Sequence, residues 1–253
     1  MVTLLYHWDF TGSDDLSLNQ AIYDSQSNVV AKVKSRGTFN SSNTTFSRSN
    51  DGIFLNNNDN TTGGYYIDLE GLNTIQFSGN LSIEMAVQNH KRDIKAVYFL
   101  STGEDNGTNK AFLNARFNGL PGKNKMFFGV RTDEYSNSGV SYVERKIRGD
   151  NDTVITDNSE HHYMFSLNYD GSSSSVKLYI DGILKGNNTN DLEKALITDI
   201  RSVNFIGTRK VEGEGVSYLK GVIKYLKIYQ GAMTDSEVSN AHFTYIAGHP
   251  ELV

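Results

Sequence analysis

Residues 205–243 read FIGTRKVEGEGVSYLKGVIKYLKIYQGAMTDSEVSNAHF, and this stretch decides the fold. Its middle, Gly221–Tyr229, has the composition of a strand. The apolar positions Ile223, Leu226 and Ile228 break strict alternation once, so the strand is either bulged or buried on both faces. Gln230 and Gly231 then turn the chain. Thr234-Asp235-Ser236-Glu237 opens a short helix in which Thr234 caps the first turn and Glu237 reaches back to its N–H. Val238, Ala241 and Tyr245 share one face of that helix, which extends to Tyr245.

Working outward, Val176–Leu184 is a hairpin whose Asp181-Gly182 pair supplies the positive φ angles of a two-residue turn. Leu81, Ile83, Met85 and Val87 alternate with Ser82, Glu84 and Ala86, the pattern of a half-buried strand. Further strands are read at 66–69, 97–100, 112–117, 126–130 and 163–169, separated by turn clusters rich in Gly, Asn and Ser. Apart from one turn at 191–196, no other segment has a helical period. The expectation is an all-β fold: a two-sheet antiparallel sandwich of jelly-roll type with one short C-terminal helix. There is no linker and no repeat, so residues 1–253 read as one domain.

Composition removes several function classes. A net charge of −5 leaves no basic footprint for nucleic acid. No apolar run approaches the roughly 20 residues that span a bilayer. The start, MVTLLYHWDF, lacks a basic leader region, which points to a cytoplasmic or virion-associated product unless the chain is an excised module of a secreted protein. Cysteine is absent, which excludes disulfides, thiolate chemistry and sulfur-held zinc. Seven Asn-x-Ser/Thr triplets, beginning at Asn40, Asn43, Asn60, Asn80, Asn106, Asn151 and Asn187, read as chance in an Asn- and Thr-rich chain.

Several motifs together resemble the laminin-G-like branch of the concanavalin A-like jelly rolls. Tyr6–Phe10 followed by Tyr23–Asn28 is similar to the family's opening strand and Asp-Ser-x-x-Asn turn. Phe77–Val87, His161–Phe165 and Leu178–Gly182 resemble successive family strands, the last closely matching Leu-Tyr-Val-Asp-Gly. Gly221–Tyr229 and Ala232–Glu237 are similar to the closing strand and its Ala-Leu-Thr-x-x-Glu continuation. The resemblance implies a sandwich spanning the whole chain. It also implies a calcium site in some members, with an Asp where Lys224 or Tyr225 stands here. Asp24 remains as the candidate calcium ligand, against the plainer reading that it caps its own turn.

Enzymes share this fold, so catalytic sets were sought. Retaining glucanases present paired carboxylates from one strand. Asp68 and Glu70 are the nearest match, but Tyr66 replaces the first Glu, and a solvated edge strand explains them as well. His161 and His162 are adjacent on a strand and face opposite sides, so they cannot chelate one ion together without a bulge. No lyase set, catalytic triad or phosphate loop stands out.

Binding is the positive reading. Sugar sites set an aromatic face against C–H groups, with Asn, Asp and Arg on the hydroxyls. Arg131, Asp133, Tyr135 and Asn137 form one such set; Arg209 with Tyr218 forms a second, and Tyr65 with Asn58 and Asp59 a third. The expectation is a non-catalytic lectin-like module that recognises glycan or a protein surface through loops at one rim. Its rival is a structural virion or spike part, a homo-oligomer or component of a particle that packs through its sandwich. A polysaccharide-degrading enzyme is the third reading.

Overall fold

The computed structural model of the chain describes residues 2–13, 15–27, 29–57, 63–72, 80–90, 97–103, 111–118, 125–131, 144–148, 158–169, 174–190, 203–208 and 218–248. Between residues 97 and 148 the side chains described are those of Phe99, Ala115, Met126 and Phe128. Strands are numbered in chain order.

Two antiparallel sheets face each other. The first runs β14 (Ile183–Asn190), β13 (Ser174–Ile180), β12 (Glu160–Tyr169), β7 (Leu81–Asn89), β16 (Lys220–Gln230), β5 (Gly52–Asn56) and β4 (Thr45–Ser49). Along β16 the first half pairs with β5 and the second with β1 (Thr3–Asp9). The second sheet runs β11 (Glu144–Arg148), β10 (Lys125–Arg131), β9 (Ala111–Asn118), β8 (Val97–Gly103), β15 (Val203–Ile206), β6 (Gly63–Glu70), β3 (Val30–Gly37) and β2 (Ala21–Tyr23). One helix, α1 (Asp235–Gly248), follows β16.

Alternation builds the core. Ile83, Met85 and Val87 of β7 meet Ile67 and Leu69 of β6 and Val33 of β3 in one apolar cluster between the sheets. Trp8 is fully buried there, and its indole N–H donates to the Val29 carbonyl at 3.2 Å.

The irregular apolar spacing of the last strand has a structural cause. Its register against β7 shifts between Ile223 and Tyr225, a bulge at Lys224. Beyond that point Leu226 and Ile228 rejoin the inner core while Tyr225, Lys227 and Tyr229 take the outer face.

The outer face of the first sheet is covered over its central strands. Helix α1 lies over it through Val238, which packs with Met164, Tyr179 and Met233, and Tyr245, which packs with Ala86 and Tyr225. The capping box forms as its sequence requires: the Glu237 N–H donates to Thr234 Oγ1 at 3.3 Å, and the Thr234 N–H to Glu237 Oε2 at 2.9 Å. Consequently β7 is buried on both faces, not half-buried as its alternation suggests: Ser82, Glu84 and Ala86 are all within 1% of full burial. The Asp181-Gly182 turn has the expected positive φ values, 53° and 73°.

Candidate functional site

Strand directions place the candidate loops. In the second sheet β8, β10 and β6 run one way, and β9, β15 and β3 the other. The chain therefore leaves β10 at Arg131, whose backbone pairs with Glu144, on the end of the sheet where β8 finishes at Gly103. It leaves β15 at Ile206, toward the opposite end, where β6 begins at Gly63 and β3 finishes at Gly37. Arg131 and Ile206 thus end their strands at opposite ends of the second sheet. Asp133, Tyr135, Asn137, Arg209, Asn58 and Asp59 lie outside the described residues.

Tyr218 is placed in the interior. It is 1% exposed and packs with Tyr66 and Phe205, so its ring is a support for its loop and not a rim platform. Burial raises its phenol pKa, with the nearby Arg36 opposing. Tyr65 is also a packing residue, in contact with the rings of Phe39 and Phe46.

Asp68 and Glu70 sit on an inner strand, between β15 and β3, rather than on an edge. Lys34 Nζ reaches Asp68 at 2.7 Å and Glu70 at 2.6 Å, and Lys32 Nζ reaches Glu70 at 2.7 Å. The lysine contacts hold Glu70 below the usual carboxylate range. A general acid needs a raised pKa, so this pairing works against proton donation.

The Asp24 side chain is 5% exposed, and its oxygens accept backbone N–H groups: Oδ1 from His7, and Oδ2 from Gln26 at 3.1 Å. The second contact is the Asx bond of a turn. Calcium would want six or more oxygens. Here the carboxylate is already an amide acceptor, and among the described residues no three His, Asp or Glu side chains converge. Lys224, on the strand where the resemblance called for an Asp, is buried and ion-paired to Glu160 at 3.0 Å. The residues described do not fit a calcium site at Asp24.

The densest polar chemistry lies under helix α1 and escaped sequence reasoning. Glu84 is 1% exposed at the centre of the first sheet. Tyr225 and Lys227 donate to its Oε1, both at 2.9 Å, and Tyr229 donates to Oε2 at 2.5 Å. His162 Nε2 stands 3.3 Å from Oε1, an ion-pair distance without hydrogen-bond alignment. Burial alone would raise the Glu84 pKa, but His162, Lys227 and Tyr229 together lower it to about 2. His161, on the opposite face as alternation requires, pairs with Asp181 at 2.7 Å. A cavity of about 370 Å³ opens beside this layer, lined by Ser166, Asn168, Ser175, Lys177, Ala232, Met233 and Thr234. No helix among the described residues is long and apolar enough to cross a membrane.

Two facing antiparallel sheets with this strand order and a closing helix define a lectin-type jelly roll. The chain belongs to the concanavalin A-like lectin/glucanase superfamily, whose laminin-G-type family pattern matches residues 61–239. Domain 4 of AbnA, a GH43 extracellular arabinanase from Geobacillus stearothermophilus solved with arabinotriose, is similar at TM-score 0.58 and 19% identity. That match covers 94% of this chain and 98% of that one. The CBM40 of Ruminococcus gnavus IT-sialidase, bound to α2,3-sialyllactose, is similar at TM-score 0.51 and 12% identity, over 67% of this chain and 85% of that one. The binding domain of botulinum neurotoxin DC, in complex with rat synaptotagmin II, gives TM-score 0.59 and 12% identity over 95% of this chain and 51% of that one. At these identities the likeness is one of fold. No curated protein sequence matches the chain.

Proposed function

We infer that this chain is a non-catalytic, lectin-like module that recognises glycan through the loop following β10. The observation that carries the reading is the end-to-end likeness to an arabinanase domain solved with arabinotriose, neither chain having a large unmatched part. The carbohydrate-bound CBM40 supports the same reading. The paired carboxylates of β6 support the non-catalytic half, because Lys32 and Lys34 tie them into a ladder across two strands.

In this reading Tyr135 offers its ring to the apolar face of a sugar, and Arg131, Asp133 and Asn137 bond its hydroxyls. A glycan array tests it. Saturable binding that falls at least tenfold in Tyr135→Ala or Arg131→Ala is the expected result. Absence of glycan signal, with concentration-dependent assembly in light scattering, would instead favour a structural part. Hydrolysis of any polysaccharide in a panel would overturn both.

A further inference from the structure

Helix α1 meets the first sheet through a pair of histidines 80 residues apart in sequence. His162 of β12 is 1% exposed, and its Nδ1 lies 3.2 Å from Nδ1 of His242 on the helix. The His162 ring is nearly parallel to both neighbours, 20° from His242 and 13° from Tyr245. The Asp181-Gly182 turn presses on the same place, since a β-carbon on Gly182 would stand 2.7 Å from His242 Cδ2.

Proton counting on that contact is restrictive. Two facing ring nitrogens form a bond only if one carries a proton and the other does not. His162 Nε2 stands 3.3 Å from a Glu84 carboxylate oxygen, whose charge favours the proton on that nitrogen. The pair is then closed when neutral, and closed again with one extra proton. With both imidazoles charged, N–H meets N–H at 3.2 Å and the contact turns repulsive.

The acids around the pair are each already engaged, Glu84 among them although it also faces His162. Glu84 on β7 already serves Lys227, Tyr225 and Tyr229 of β16. Glu160 of β12 is held by Lys224 of β16 and by the Tyr245 hydroxyl of the helix. Asp181 accepts from His161 and from the His162 backbone N–H, at 2.7 and 2.9 Å. The remaining neighbour, His7 of β1, sets its ring edge-on to Tyr225.

We propose that the His162–His242 contact is a pH-operated latch that fastens the C-terminal helix to the outer face of the first sheet and releases it when both imidazoles are protonated. Burial and the neighbouring His162 hold the His242 pKa below its ordinary value of 6.5, with Asp181 opposing. A base with a depressed pKa stabilises the docked state above its free value and loses that contribution as pH falls. The first proton leaves the contact closed, so release needs the second and lies below the ordinary 6.5. It would uncover Ala86 and Tyr225, which the helix now covers.

Amide hydrogen exchange of the full chain, corrected for intrinsic rates and referenced to residues 81–89, tests this. Protection across residues 238–248 is expected to fall about tenfold between pH 7.5 and 5. His242→Gln keeps a polar group opposite His162 but cannot titrate, so its helix protection should be flat with pH. Unchanged wild-type protection, or the same loss in His242→Gln, overturns the latch. Should that variant not fold, imidazole nitrogen NMR of the wild type decides. A His242 step displaced below the ordinary value supports the latch, and a His242 step at that value overturns it.

Discussion

Gly221 opens the last strand directly against the backbone of Gln88: a β-carbon there would stand 2.0 Å from the Gln88 carbonyl oxygen. The strand is flanked on both sides at this point, by Leu55 of β5 and Asn89 of β7. Backbone cannot rotate away as a side chain can. Gly221→Ala should therefore cost about 3 kcal/mol in a urea titration. Gly248→Ala, where nothing lies within 4 Å of the added carbon, should stay within about 0.5 kcal/mol and serves as the control. Equal midpoints for the two variants would remove the packing explanation for Gly221.

Gly221 also shows what could be read in advance. Local rules reached a bulge in the last strand as one of two readings, from one missed alternation among Ile223, Leu226 and Ile228; its place at Lys224 came from the register. They reached the Asp181-Gly182 turn and the Thr234–Glu237 cap, whose partners are two or three residues apart. They did not reach Glu84. A Glu in alternation with Ile83 and Met85 reads as solvent-facing, and only the helix, some 150 residues later, makes that face interior. The pairing of His162 with His242 is hidden by the same distance. Tyr218 looked like a surface aromatic because the strand that buries it, carrying Tyr66, is equally remote. Strand order, not sequence, sets the strand ends Arg131 and Ile206 at opposite ends of the second sheet.

Asp24 distinguishes a turn from a cation site. Removing its carboxylate in Asp24→Ala leaves the His7 and Gln26 N–H groups without their acceptor. The expected loss is about 2 kcal/mol. The loss should be the same in calcium and in chelator, because the oxygens already serve amides. A native-state ion would raise the wild-type melting midpoint. A midpoint several degrees higher in calcium, abolished in Asp24→Ala, would restore the cation site.

Arg131 and Ile206 end their strands at opposite ends of the second sheet, and recognition beside Arg131 alone predicts an asymmetry in binding. Titration calorimetry with the best array ligand should show Arg131→Ala weakening binding at least tenfold and Arg209→Ala changing it less than twofold. Tyr218→Phe should leave affinity unaltered, since its ring is packed between Tyr66 and Phe205. Equal losses from Arg131→Ala and Arg209→Ala would contradict recognition at a single end.

Glu84 gives the acid limb of stability a definite window. Its folded pKa of about 2 lies below the ordinary 4.5, so the unfolded chain binds the proton more readily. The group therefore contributes stability above about pH 4.5 and loses it as pH falls toward 2. A depression of that size corresponds to roughly 3 kcal/mol at neutral pH. Glu84→Gln keeps the shape but leaves Lys227 facing a neutral amide, so it should be less stable by roughly that amount at pH 7. The gap between wild type and variant should close across pH 4.5 to 2, separate from any histidine-dependent change at milder acidity. Urea midpoints at pH 7, 4 and 2.5 measure it, and a gap that does not move with pH would show that the carboxylate's charge is not what holds this layer together.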